Sequence, residues 1–557
     1  MKILLIQPPI QDFYQTVIRT QPIGLAYMGA SLQVSGHEVE ILDCQMEKKK
    51  MIPLPTELSY LLNFYPFNDR SPFKLYSGYY HFGRGWEEIK KKIKDSRAEV
   101  FGISASFTPY QGESLEVARI IKEWDERKIV VMGGAHVSVD PEGMLKSPFV
   151  DYIILGEGEA RLPGLLDQIE KKGRKFFGGG EGIGFAGNKD VRINPMKSFI
   201  GDLDCLPYPA RELLDLDCYR IKKKRETMII TSRGCPHQCA YCAAHLVMGT
   251  AFRARSPENI IREMRECREK FDIQAFDIED DNFTFDLQRA KHLLSLIIET
   301  FGEGALKLSA MNGVSFAAMD GDLLGLMKRA GFDTINLSFV SADSLTRERM
   351  KRPRGLIDFD STVIEAEKTG LQVIAYAILG MPGQTLEEMI ETIIHLMGKR
   401  VLIGPSIYYP TPGTALFEVC KKENLLPPHP RQWRSSAFPI ETKEFTRLDL
   451  VTLFRLTRMI NFIKGKIAKK EIDDGMTVGA IGQFLEDREK VKPFSGENYD
   501  PPTWFDLLWV LFKEKSFCSL RKESKGNWRL HKEETSKKVV NYFFYKAGSQ
   551  PILKNTG

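Results

Sequence analysis

Three of the chain's nine cysteines fall within eight residues, in the run CPHQCAYC that holds Cys235, Cys239 and Cys242. At 9 cysteines in 557 residues, that spacing arises by chance only ~0.002 times per chain of this length. Such a triplet demands a loop that turns three thiols toward one region, which narrows what can surround it. The other six, Cys44, Cys205, Cys218, Cys267, Cys420 and Cys518, are scattered. An odd total in a long chain argues against a disulfide framework. Zinc is one occupant for the loop, but it needs a fourth ligand, from His237 or His245, and no second CxxC follows. An iron–sulfur cubane held by three thiolates is the other, and it leaves one iron open for a ligand.

The chain on either side alternates strand and helix patterns. Residues 2–7 (KILLIQ) form an apolar run stopped by Pro8-Pro9, which reads as a buried strand. Residues 22–34 carry helical apolar spacing, and strands follow at 39–42, 99–107, 129–132 and 151–155, with a helix over 114–124. Strands separated by helices imply parallel pairing and an open doubly wound sheet, which binds ligands beyond the carboxyl ends of its strands. Those ends carry Ser104 and Ser106, Gly133 to His136, and Gly156 to Glu159. An aromatic-rich insertion at about 45–86 is long for a loop and reads as a packed excursion. A Gly/Lys-rich stretch, 171–189, reads as a hairpin or a join. Six further strand–helix units follow, with strands at 228–231, 275–278, 307–310, 334–338, 373–379 and 405–409. They predict an incomplete barrel, again with working residues at strand ends. Beyond about 421 the pattern is mostly helical, with helices at 447–464 and 504–512 and a break at 498–502.

Net charge is +5 over 557 residues, too small a surplus to argue for a nucleic-acid partner. The basic runs at 220–225 and 521–538 read as solvated faces or a tail. No apolar run reaches the ~18 residues that span a bilayer, and the apolar start is too short for a signal peptide. A cytoplasmic setting is the expectation.

Cys-x3-Cys-x2-Cys with Tyr241 before the last cysteine, following the strand MIITSRGC, resembles the radical S-adenosylmethionine superfamily. The resemblance implies a [4Fe-4S] cluster on Cys235, Cys239 and Cys242. Its open iron would chelate S-adenosylmethionine, and an electron from an external donor such as flavodoxin or ferredoxin would cleave it to a 5′-deoxyadenosyl radical. It also implies that Asp280 and Asp281, in IEDDNF, face the methionine ammonium. Ser338 and Ser341 would lie by the ribose, and Tyr376 and Gly380, in YAILGMPG, by the adenine.

The first part of the chain is similar to the cobalamin-binding domain fused to many of these enzymes, through PIGLAYMGASLQVSGHEVEILD, FGISASF, VVMGGAHVS and DYIILGEGE. That implies cobalamin contacts from Ser104, Ser106, Gly133, Gly134, His136, Gly156, Glu157 and Gly158. One motif departs from the mutase-type pattern Asp-x-His-x-x-Gly: Asp12 is present, but Tyr14 stands two residues later and the segment has no histidine. No histidine lower ligand is expected from it. The implied layout is a Rossmann-like cobalamin-binding domain (1–195), a partial (β/α)6 barrel (196–420) and a mostly helical C-terminal region (421–557).

The expected activity is methylation of an unactivated carbon of a small molecule. The alternatives are radical chemistry without cobalamin, giving cyclisation or rearrangement, and a non-catalytic iron–sulfur sensor.

Overall fold

A computed structural model describes residues 1–14, 21–46, 49–173, 180–186, 191–221, 223–352, 355–489, 503–523 and 527–554. The expected break at 498–502 and much of the 171–189 stretch lie outside the described residues.

The N-terminal sheet has five parallel strands, in spatial order Glu38–Asp43, Lys2–Gln7, Val100–Ser104, Ile129–Gly133 and Tyr152–Ile154. Period-2 alternation divides their side chains. Leu4, Ile6, Val130 and Met132 pack under the helices Trp86–Asp95 and Gln111–Trp124. Ile3, Leu5, Ile129 and Val131 pack under Ile23–Val34 and Arg161–Lys172. Both faces are buried, as a parallel sheet requires. Because the chain leaves the first strand to either side, the strand order reverses between Lys2–Gln7 and Val100–Ser104, and a crevice opens at that switch point. Two strands that the sequence pattern did not resolve, Ile183–Ala186 and Val191–Ile193, extend the sheet antiparallel.

The six expected barrel strands are all present in order: Lys224–Ile229, Ile273–Ile278, Lys307–Ser309, Thr334–Val340, Gln372–Leu379 and Leu402–Ile407. The third and fourth meet only through the isolated parallel bridges Leu308↔Phe332 and Val314↔Leu337. The last strand would present an unpaired edge, but helix Arg447–Ala468 covers it. The Asn461 amide accepts the Ile403 N–H and donates to the Ile403 carbonyl, both at 2.9 Å.

The aromatic insertion forms a small antiparallel sheet, in which Tyr79–Phe82 pairs with Ile10–Asp12 and Lys50–Ile52. Its rings pack on one another: Phe13 lies 5.2 Å from Tyr65 and 4.9 Å from Tyr79. The Tyr60 hydroxyl donates to the Ala437 carbonyl at 2.9 Å. The insertion therefore joins the first part of the chain to the last. Asp12 sits at the centre of this junction, 1 % exposed. It accepts from Tyr110 Oη at 2.7 Å, Ser436 Oγ at 2.8 Å and Arg434 Nη1 at 3.0 Å. The aspartate that looked like a cofactor motif is an anchor between distant parts of the chain.

Parts of the basic runs are paired: Arg220 and Arg225 both reach Asp217, and Arg521 pairs with Glu533. Among the described residues, no helix is long and apolar enough to cross a membrane.

Removing one partner of a buried ion pair leaves the other charge uncompensated, at a cost of about 3–5 kcal/mol. Asp12→Leu is expected to lower unfolding stability by about that amount, whereas Asp12→Leu with Arg434→Met recovers most of the loss. Urea denaturation of the wild type, the single variant and the double variant checks this, and equal loss in the two variants contradicts it.

Candidate functional site

The cysteine loop follows the first barrel strand, and residues 231 to 235 are each tied down by a hydrogen bond or ion pair. Asp280 accepts the Thr231 N–H at 2.6 Å, the Ser232 hydroxyl at 2.6 Å and the Thr231 hydroxyl. Arg233 donates to Glu157 at 2.9 Å and to Glu159 at 2.6 Å. Asp281 accepts the Gly234 N–H at 2.9 Å, and Cys235 donates its N–H to the Gly249 carbonyl at 3.3 Å. Gly234 has φ +82°, and a Cβ there would stand 2.2 Å from the Ala251 carbonyl oxygen, so only glycine makes this turn. The loop is thus presented by a fixed backbone.

Cys235 and Cys239 are buried and Cys242 half-buried. Burial, together with the neighbouring Cys239 and Cys235 thiols, pushes the Cys242 thiol up to about 11, while the Ala244 N–H, 3.5 Å from its sulfur, opposes this. Asn282, 4 % exposed, points its amide at Cys235 Sγ from 3.9 Å. Metal binding deprotonates such thiols, and N–H groups aimed at sulfur stabilise the thiolates of a cluster. Among the described residues, no three His, Cys, Asp or Glu side chains close around one point as the ligands of a lone ion do.

A cavity of about 1430 Å³ lies between the carboxyl ends of the N-terminal sheet and the first strands of the barrel. It exceeds the ~300–1,000 Å³ usual for small-molecule sites. From the sheet come Ser104, Ser106, Gly133, Gly134, Gly156, Glu157 and Gly158. Gly134 has φ +117°, and a Cβ there would meet the Ala105 carbonyl oxygen at 2.7 Å, so the backbone itself forms the wall. From the barrel come Ser232, Arg233, Asp277, Glu279 and Asp281. The bare strand ends and large volume suit a bulky ligand such as a corrin. Among the described residues, no histidine lines the space, in keeping with the missing motif histidine. Cys235, Cys239 and Cys242 are not part of the wall, although Arg233, which is, stands two residues from Cys235.

The expected site residues divide by position. His136 is 1 % exposed and outside the lining; its Nδ1 is 3.1 Å from Thr108 Oγ1, and burial lowers it to about 4, so it is neutral. Asp280 is turned into the loop backbone, and burial raises its pKa against the pull of its three donors. Asp281 faces the cavity, as does its neighbour Glu279. Burial, with the Asp277 carboxylate beside it, raises Glu279 from 4.5 to about 7. These carboxylates give the barrel wall an acidic face suited to a cationic group. Tyr241 is half-buried beside the cysteines, and burial raises its hydroxyl pKa. Ser338 and Tyr376 are register partners on adjacent strands, away from the cavity. Ser341 is fully buried, 3.2 Å from Thr392 Oγ1. Gly380 packs on Leu450 and donates its N–H to Gln384.

Other wall residues carried no sequence signal. Asp43 and Tyr219, hydrogen-bonded to each other, line the cavity with Gln45 and Glu226. Arg253 joins Arg233 on Glu157, at 2.8 and 2.9 Å, and Glu157 also accepts the Ile200 N–H at 2.7 Å. Burial alone would raise Glu157, but Arg233, Ile200 and Arg253 hold it below the ordinary carboxylate range.

In the ligand-free protein, Glu279 binds its proton more tightly folded than unfolded. Its stabilising share is complete below pH 4.5 and is lost as pH rises through about 7. Glu279→Gln should therefore flatten the fall in stability between those pH values, read as urea midpoints across a pH series. An unchanged slope contradicts the assignment.

Comparison with known proteins agrees with this geometry. Residues 229–396 match the Radical SAM superfamily and residues 78–166 match the B12 binding domain. An uncharacterized methyltransferase of Pyrococcus horikoshii is 30% identical over 484 residues, spanning 85% of this chain and 95% of that protein. Cytidylyl-2-hydroxyethylphosphonate methyltransferase of Streptomyces wedmorensis is 26% identical over 473 residues, covering 78% of this chain and 84% of that protein. In fold, the chain is similar to TsrM, the radical S-adenosylmethionine methyltransferase of Kitasatospora setae, solved with cobalamin and a [4Fe-4S] cluster. The TM-score is 0.57 at 18% identity, over 76% of this chain and 75% of that one. The cysteine loop, the cavity beside it and these matches together place the chain in the cobalamin-binding radical S-adenosylmethionine family.

Proposed function

We propose that this chain is a cobalamin-dependent radical S-adenosylmethionine methyltransferase acting on a carbon of a small molecule. The observation that carries the reading is a cavity whose one wall is the strand ends of a switch-point crevice and whose other is the strand leading into the cysteine loop. The names of the relatives above support methyl transfer as the reaction.

In this reading Cys235, Cys239 and Cys242 hold three irons of a [4Fe-4S] cluster, and the cavity holds cobalamin against Ser104, Ser106, Gly133, Gly134, Gly156 and Gly158. When bound, the cluster supplies the electron that splits S-adenosylmethionine to a carbon radical, and cobalamin supplies the methyl group. The protein's part is to bind, orient and exclude side reactions. Asp281 presents negative charge to the ammonium of S-adenosylmethionine, Glu279 beside it would give up its proton when that cation arrives, and Asp280 fixes Thr231 and Ser232 beneath them. Ser338 and Tyr376, in register on the far strands, are assigned to the nucleoside end, with Gly380 shaping the turn behind them. Tyr241 shields the cluster side. The electron comes from an external one-electron donor such as flavodoxin or ferredoxin, and the setting is cytoplasmic.

Anaerobic reconstitution with iron and sulfide, followed by hydroxocobalamin and removal of unbound ligand, tests this. The expected protein keeps near-equimolar corrinoid beside the broad cluster absorption, and on reduction with S-adenosylmethionine forms 5′-deoxyadenosine. Cys239→Ala should lose the cluster absorption and 5′-deoxyadenosine while keeping corrinoid. A cluster with no retained corrinoid would sink the cobalamin reading, and an intact cluster that never cleaves S-adenosylmethionine would favour a sensor.

A further inference from the structure

We infer that Arg233 is a positioning residue that sets the cobalamin-binding sheet against the cluster loop, and so fixes the path along which the methyl group moves. The inference rests on the proposed function, because it presumes that both cofactors bind where their walls stand.

Arg233 belongs to the short strand Ser232–Arg233, paired antiparallel with Arg253–Ala254, on the barrel side. Its guanidinium faces the other way. One nitrogen donates to Glu157 and the other to Glu159, both from the loop after the fifth sheet strand. Its central carbon lies 5.3 Å from the centre of the Tyr27 ring, on the first sheet helix. The side chains of Arg233, Glu157 and Glu159 are 6 %, 0 % and 8 % exposed. All four residues also line the cavity. A planar fork bonded to two carboxylates fixes angle as well as distance, which a point charge does not.

The connection to the cluster is short and stiff. Gly234 follows at once, locked by its positive φ and by Asp281, and Cys235 is next. A displacement of Glu157 or Glu159 is therefore passed to the first cluster cysteine through an Arg233 side chain that is itself 6 % exposed and held by both carboxylates. The joint between sheet and barrel does not depend on Arg233 alone. Gln21 accepts from Thr227 Oγ1 at 2.7 Å and from the Met228 N–H at 2.9 Å. Arg253 also remains on Glu157. Weakening Arg233 should loosen the alignment without parting the domains.

The test uses the full chain, reconstituted with iron, sulfide and hydroxocobalamin, as wild type, Arg233→Lys and Glu159→Gln. The first readout is iron and corrinoid content. The second is the dipolar interaction between cob(II)alamin and the reduced cluster by pulsed electron paramagnetic resonance. The third uses titanium(III) citrate as reductant and S-adenosylmethionine. It compares S-adenosylhomocysteine, the fragment left when the sulfonium methyl departs to the electron pair of reduced cobalt, with 5′-deoxyadenosine, the product at the cluster. Both variants are expected to keep iron and corrinoid, to show a shifted or broadened dipolar distribution, and to lower the ratio of the first product to the second by roughly 10- to 100-fold. Wild-type dipolar distribution and product ratio in both variants overturn the inference. Loss of iron or corrinoid from both also overturns it, in favour of a purely structural role. If the wild type itself holds no corrinoid, the proposed function falls first, and this inference with it.

Discussion

Everything in the site depends on how residues 231 to 235 are held. They are fixed from four sides, by Asp280 at Thr231 and Ser232, by Glu157 and Glu159 at Arg233, by Asp281 at Gly234, and by Gly249 at Cys235. The acidic groups come from two sources: the end of the second barrel strand and the loop after the last parallel strand of the sheet. The strand leading into the cysteines is thereby tied to both halves of the molecule at once. A loop that must present three thiols to one cluster gains from such pinning, because reactive geometry tolerates little displacement.

Buried charge is an expensive way to make such a joint, since desolvating two ions can cost more than their attraction returns. The chain nonetheless repeats the device. Asp12 with Arg434 fastens the insertion to the C-terminal region, and Glu263 holds both Arg211 and Arg255 beneath the first barrel strand. Each of these arginines satisfies further carbonyl or hydroxyl oxygens, as with Arg434 on the Gln11 and Pro109 carbonyls. The directional fork of arginine specifies one arrangement of sheet, insertion and barrel, where an apolar contact would allow several.

What the sequence disclosed follows from range. The cysteine triplet, the eleven parallel strands of sheet and barrel, and the glycines at strand ends are local patterns, legible in windows of ten residues. The Gly-rich stretch that holds Ile183–Ala186 reads as a hairpin or a join, and that segment does pair antiparallel with Val191–Ile193, but nothing local told that the pair would add to the parallel sheet. Asp12 and Arg434 lie 422 positions apart, and Arg233 and Glu157 lie 76 apart, so nothing in one sequence links them. Resemblance put Asp280 and Asp281 together at the ligand. The fold gives them different surroundings: Asp280 is buried on Thr231 and Ser232, whereas Asp281, which also accepts the Gly234 N–H, lines the cavity. His136 shows the same limit, since a histidine at a strand end looks available until Thr108 is found across it.

The central claim is that one cavity faces a cobalt cofactor toward a cluster on Cys235, Cys239 and Cys242. The most direct measurement is anomalous diffraction from crystals of anaerobically reconstituted protein soaked with hydroxocobalamin, with data collected at the cobalt and iron edges. The account predicts iron density at the three cysteines and a separate cobalt peak inside the cavity, between the Ser104, Gly133 and Gly156 strand ends and the Ser232–Arg233 strand. Cobalt located elsewhere, or iron absent from that loop, would contradict it.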